Sequence, residues 1–172
     1  MSLVTTLTLG LLMDLRKTFS GQELQPRPLI TLDDALADGT DLDEANKLYG
    51  PKRRTLAGGA SETLDLSGTG TGAGTLQDVF GDYVQFTKVK ALVIHNTNLV
   101  AGNVLEIGGA AANTFMLFDN ATDIYQLGPN GIFFVWEPSL AGLAVTAGTA
   151  DLLKINVPGG TAIDYDIAIL GV

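Results

Sequence analysis

The chain of 172 residues has no cysteine, which excludes disulfides, thiolate metal sites and cysteine nucleophiles together. Its one histidine, His95, cannot build a histidine-rich metal site, and its one tryptophan, Trp136, is too little for a stacking platform. The apolar runs are too short to cross a bilayer. The opening Met1-Ser2-Leu3-Val4-Thr5-Thr6 also lacks the basic stretch of a secretion signal, so a soluble, cytoplasmically made protein with no membrane partner is expected. Basic residues are scarce, ten against nineteen acids, for a net charge of −9 and a pI of about 4.3. A phosphate backbone should repel such a molecule, so no nucleic-acid partner is expected.

What the chain does have is glycine, 21 residues of it, unevenly placed: four in residues 1–54 and seventeen beyond. Charge is uneven too. Residues 1–54 carry seven basic residues against eight acids, and the remainder three lysines against eleven acids. The two parts are built differently.

From residue 115 onward the chain is written in short apolar runs. Phe115-Met116-Leu117-Phe118, Ile132-Phe133-Phe134-Val135-Trp136, Leu152-Leu153-Lys154-Ile155-Asn156-Val157 and the run 163–170 are each of strand length. They are separated by turn residues such as Gly128-Pro129-Asn130-Gly131 and Pro158-Gly159-Gly160. In the last run Ile163, Tyr165, Ile167 and Ile169 alternate with Asp164, Asp166 and Ala168, the pattern of a half-buried strand. Residues 89–96, 99–109, 113–118, 61–67 and 2–9 read as further strands. Seven to nine strands with few helical intervals predict an all-β fold, an antiparallel two-sheet β-sandwich over residues 56–172. Residues 1–55 read as an irregular N-terminal arm, broken at Gln25-Pro26-Arg27-Pro28. Within it, 31–49 is rich in Ala, Leu and acids and suits a short helix, for which Thr31 or Asp41 would serve as the cap.

No motif announces catalysis. The glycine loop at 68–75 lacks the Lys-Ser or Lys-Thr of a phosphate cradle and reads as a surface loop. Asp38-Gly39-Thr40-Asp41-Leu42-Asp43-Glu44 spaces carboxylates like a calcium loop, but its glycine is misplaced and no glutamate stands at the twelfth position. It reads as a solvated acidic turn. His95 has no Gly-x-Ser-x-Gly elbow to serve and reads as a strand-end residue making a local hydrogen bond. No acid pair stands out as a glycosidase couple. We therefore expect no enzyme, no cofactor and no metal. Two features remain as partner contacts. Lys52-Arg53-Arg54 is the only basic cluster; it reads as a solvated turn or, as a contact, suits an acidic patch on another protein, while Trp136 reads as a core or rim aromatic, the alternative being a contact that stacks on carbohydrate.

Several phrases carry a resemblance. These are Lys52-Arg53-Arg54-Thr55-Leu56-Ala57-Gly58-Gly59-Ala60-Ser61-Glu62-Thr63-Leu64-Asp65-Leu66-Ser67-Gly68, Phe80-Gly81 leading into Phe86-Thr87-Lys88-Val89-Lys90-Ala91-Leu92-Val93-Ile94, Ala147-Gly148-Thr149-Ala150-Asp151-Leu152-Leu153-Lys154-Ile155, and the run 162–171. In these the chain resembles small virion structural proteins of tailed bacteriophages. The resemblance covers 52–172 well and 1–51 loosely. It implies a jelly-roll-like, non-enzymatic virion component that forms homo-oligomers, often trimers, and has the major capsid protein, itself and other virion proteins as partners. On that footing a capsid decoration or cement protein that stabilises the head is expected, the alternative being a tail or fibre component contacting the host surface.

Overall fold

The computed structural model describes residues 5–12, 17–19, 22–24, 29–51, 53–68 and 74–172, and no helix occurs among the described residues. The fold is all-β. Its first part comprises β1 (Thr5–Leu12), β2 (Lys17–Phe19), β3 (Gln22–Leu24), β4 (Leu29–Asp38) and β5 (Glu44–Ala45). β1 and β4 form an antiparallel ribbon from Thr5↔Leu36 to Leu12↔Leu29, β2 and β3 a hairpin between them, and β5 pairs in parallel with the end of β4.

The short helix expected in 31–49 is not formed. Alanine and leucine favour a helix only where the backbone bonds to itself, and here β4 spends its hydrogen bonds on β1. Asp41 does not cap a helix either. Asp43 is left-handed with φ 55°, and Glu44 Oε2 accepts the Thr40 and Asp41 amides at 2.8 and 2.9 Å. The acidic stretch is a self-capped turn. The proline break at 25–28 lies outside the described residues.

The chain continues through β6 (Lys47–Tyr49), β7 (Arg54–Leu56), β8 (Ser61–Asp65), β9 (Leu76–Gln77), β10 (Tyr83–Val84), β11 (Lys88–Asn96), β12 (Leu105–Gly108) and β13 (Ile124–Leu127). It ends in β14 (Ile132–Trp136), β15 (Leu143–Ala144), β16 (Leu152–Asn156) and β17 (Ile163–Gly171). A six-stranded sheet runs β14-β11-β17-β6, with β15 extending the β14 row along β11 and β7 extending the β6 row along β17. A four-stranded sheet runs β13-β12-β16-β8, and β9 and β10 form a small ribbon. Every pairing in these sheets is antiparallel. Because β6 and β7 belong to the six-stranded sheet, residues 47–49 and 54–55 pair with the body and not with the arm.

One hydrophobic cluster draws on both sheets. Leu92 and Ile94 of β11 and Ile163, Tyr165, Ile167 and Ile169 of β17 come from one; Leu105, Ile107, Leu153, Ile155 and Leu64 come from the other. Each fully buried side chain of this kind is worth roughly 1.5–3 kcal/mol. The alternation read in 163–170 is the observed burial of β17, with Asp164 exposed and Asp166 half-buried. Residues 113–118 are not a strand. Thr114 makes a single bridge to Leu152, and Phe115 is buried as a core plug. Residues 99–104 form a turn ahead of β12, in which Asn103 N donates to Val100 O at 3.2 Å.

Candidate functional site

Hydrogen bonds tie the arm to the body at a polar junction. β14 ends at Trp136 on the edge of the six-stranded sheet, and its indole Nε1 donates to Asp34 Oδ2 of β4 at 3.1 Å. The ring also stacks on Phe134, with centroids 6.5 Å apart and planes at 26°. Asp43 N donates to Pro138 O at 3.0 Å across the same junction. Beneath it lies Lys90 of β11, fully buried yet outside the main hydrophobic cluster. Its Nζ donates to the carbonyls of Asp41 at 3.4 Å, Pro138 at 3.3 Å, and Ser139. Burial and the neighbouring Lys88 push the ammonium below the usual lysine value, while Asp43, Glu137 and Asp41 pull against that shift. Leu36 and Ala45 of the arm base and Ala91 of β11 are buried here, also outside the main cluster.

Of the predicted partner contacts, Lys52 lies outside the described residues, and the structure separates the other three. Arg53 is on the outer surface, where Nε and Nη2 reach Asp166 Oδ1 and Oδ2 at 3.1 and 3.2 Å. That hydrogen-bonded guanidinium holds the Asp166 carboxyl below its usual range. His95 stands beside the pair, its Nδ1 4.0 Å from Asp166 Oδ2 and its Nε2 3.3 Å from Asn130 Oδ1, so the local hydrogen bond expected of it is present. Arg54 turns the other way. It pairs with Glu62 and donates from Nη1 to Tyr49 Oη at 3.0 Å, lining a cavity of about 450 Å³ with Ser61 and Thr63. Trp136 is a junction residue, distant in sequence from both arginines and engaged with the arm.

Two features were missed in the sequence. Lys90 interrupts an otherwise apolar stretch, Val89-Lys90-Ala91-Leu92-Val93, and a lysine inside a buried strand is itself a signal that a cation is being held. The second is a groove of about 240 Å³ between β6 and the β9–β10 ribbon, carrying exposed Leu48, Val79, Phe80 and Tyr83. No group of three or more metal-ligating side chains occurs among the described residues. Family models, curated proteins and solved structures were all compared with the chain, and none matches.

Proposed function

We propose that the chain is a non-enzymatic structural protein of a tailed-phage particle, a capsid decoration or cement protein whose body is a jelly-roll sandwich. The strand order supports the jelly-roll reading. With β6–β7 and β14–β15 each taken as one row, the rows in chain order pair as 6-3-8-1 in one sheet and 5-4-7-2 in the other. A double Greek key winds in that order, and capsid and lectin domains use it. Residues 128–131 and 158–160 serve as crossings: each leaves a strand of the four-stranded sheet and enters one of the six-stranded sheet.

The observation that carries the functional reading is the arm. Its ribbon belongs to a separate sheet from those of the body. A two-stranded ribbon is marginal in water by itself and needs a surface to lie on. That surface would be supplied by the major capsid protein and by neighbouring copies in a homo-oligomer such as a trimer. Many modest interfaces of this kind add up over a shell. Arg53, on the outer surface, stays a proposed contact with an acidic partner patch. The particle would carry the protein in the virion after synthesis in the host cytoplasm.

The test is co-sedimentation of the full chain and a variant lacking residues 1–32 with empty shells of the major capsid protein. The cut leaves Asp34, Leu36 and all strands of the body in place. The full chain is expected to pellet with shells, and the shortened one to stay in solution while its body still unfolds in one cooperative thermal transition. Equal pelleting would overturn the arm's role. Immunogold label on tails instead of heads would favour the tail or fibre reading.

A further inference from the structure

Lys90 occupies the point where the pairing of β11 with β17 shifts register, between Val89 and Ala91. Such a bulge re-aims one side chain against the alternation of its strand. The Lys90 stem is covered by the connection between β14 and β15, which passes so close at Gly142 that an added Cβ would stand 3.4 Å from Lys90 Cδ and 3.1 Å from Val89 O. At the end of the stem the ammonium has three protons and three carbonyl acceptors. Asp41 belongs to the turn that joins β4 to β5, and Pro138 and Ser139 to the β14–β15 connection on the sheet edge. One side chain therefore ties three segments that are far apart in sequence.

Burying an ammonium is costly, and a methionine or leucine would fill the same space without that cost. Carbonyl dipoles offset the cost only if they stay aimed at the ion, so the lysine is useful where it holds those backbones in place. Two other bonds cross the same junction, from Asp43 N to Pro138 O and from Trp136 Nε1 to Asp34 Oδ2. The Ala37 and Gly39 amides close the turn onto Asp43 O and Ala45 O at 2.9 and 3.3 Å.

We infer that Lys90 is a pin that locks the base of the arm to the sheet edge, setting the direction in which the arm leaves the body. Without it the arm turns about residues 39–43 while both sheets remain folded. The inference goes beyond the virion reading and holds whatever surface the arm meets.

Amide hydrogen exchange on the full chain and on Lys90→Met tests it, with Trp136, the sole tryptophan, as a reporter at the junction. Hydrogen bonds to a charged group predict a loss of protection of about tenfold or more at Ala37, Gly39 and Asp43. Protection at Ile94, Ile155 and Ile167 should be unchanged, and Trp136 emission should shift to the red. Lys90→Gln, which keeps a donor but cannot serve three carbonyls, should give the same local effect, reduced. Unchanged exchange at the arm base would overturn the inference. So would equal acceleration at the core positions, or failure of both variants to fold, because a pin is dispensable to the sheets it joins.

Discussion

Arg54 of β7 and Glu62 of β8 join the two sheets at the corner where the chain passes from one to the other. Arg54 Nε lies 3.0 Å from Glu62 Oε1, and Nη2 bonds Oε2 to complete a bidentate pair. Tyr165, on the central strand β17, donates its hydroxyl to the same carboxylate, and Tyr49 accepts from Arg54. Burial works against the Glu62 charge, but the hydrogen bonds from Arg54 and Tyr165 outweigh it and hold the carboxyl below its usual range. The same burial, reinforced by Glu62, pushes the Tyr165 phenol up.

Replacing Glu62 by alanine should leave a half-buried guanidinium and a buried phenol without their shared acceptor. Stranded partners of this kind cost about 1–3 kcal/mol, and the effect should appear as a lower urea midpoint. A midpoint equal to the parent's would show that water replaces the carboxylate at no cost.

The same pair sets an acid limit. Glu62 has a folded-state value below its unfolded one, so its contribution is fully present above the ordinary glutamate range near about 4.3 and is lost as pH falls through the lower folded value. Asp166, held down by Arg53, acts in the same direction. Stability measured from pH 6 to pH 2, a window of about four units around the carboxylate range, should therefore fall less steeply in Glu62→Gln than in the parent. Parallel slopes would remove Glu62 from the acid transition.

Gly171 is a packing requirement. A Cβ there would stand 2.1 Å from Lys88 O and 2.8 Å from Phe86, and the first of these is backbone. Gly171→Ala should cost about 3 kcal/mol or more by forcing β17 and β11 apart, in the manner of overpacked cores. Gly128→Ala is the control, since nothing lies within 4 Å of its added Cβ, and it should leave the thermal midpoint unchanged.

Arg53 should behave in the opposite way to Glu62. Its ion pair with Asp166 is exposed, with 56% and 45% of the two side chains accessible, and such pairs contribute little to folding. Arg53→Ala should keep the urea midpoint of the parent and weaken shell binding. Unchanged binding would take Arg53 out of the partner surface.

The legible parts of this fold are those where one strand face meets the core and the other meets water. β17 announces itself because Ile163, Tyr165, Ile167 and Ile169 alternate with smaller or charged residues, and β11, β14, β16 and β8 stand in runs read from the sequence as strands. Phe115-Met116-Leu117-Phe118 misled because a continuous apolar run carries no period. Phe115 instead plugs the core, and the Phe118 ring packs edge-on against Phe133 at 6.0 Å. β13 went unread because three of its four residues are exposed and only Leu127 is buried.

Strand positions, turns and the absence of cysteine chemistry thus follow from local composition, because steric preference and burial period act within a few residues. The partners of the polar groups do not. Asp34 meets Trp136 across 102 residues, Glu62 meets Tyr165 across 103, and Lys90 meets Asp41 across 49. The Ala-Leu-acid composition of 31–49 points to a short helix, and the pairing of β4 with β1 overturns that reading. Such pairings depend on where the two sheets and the arm come to lie, a matter of long-range packing that no local window of residues contains.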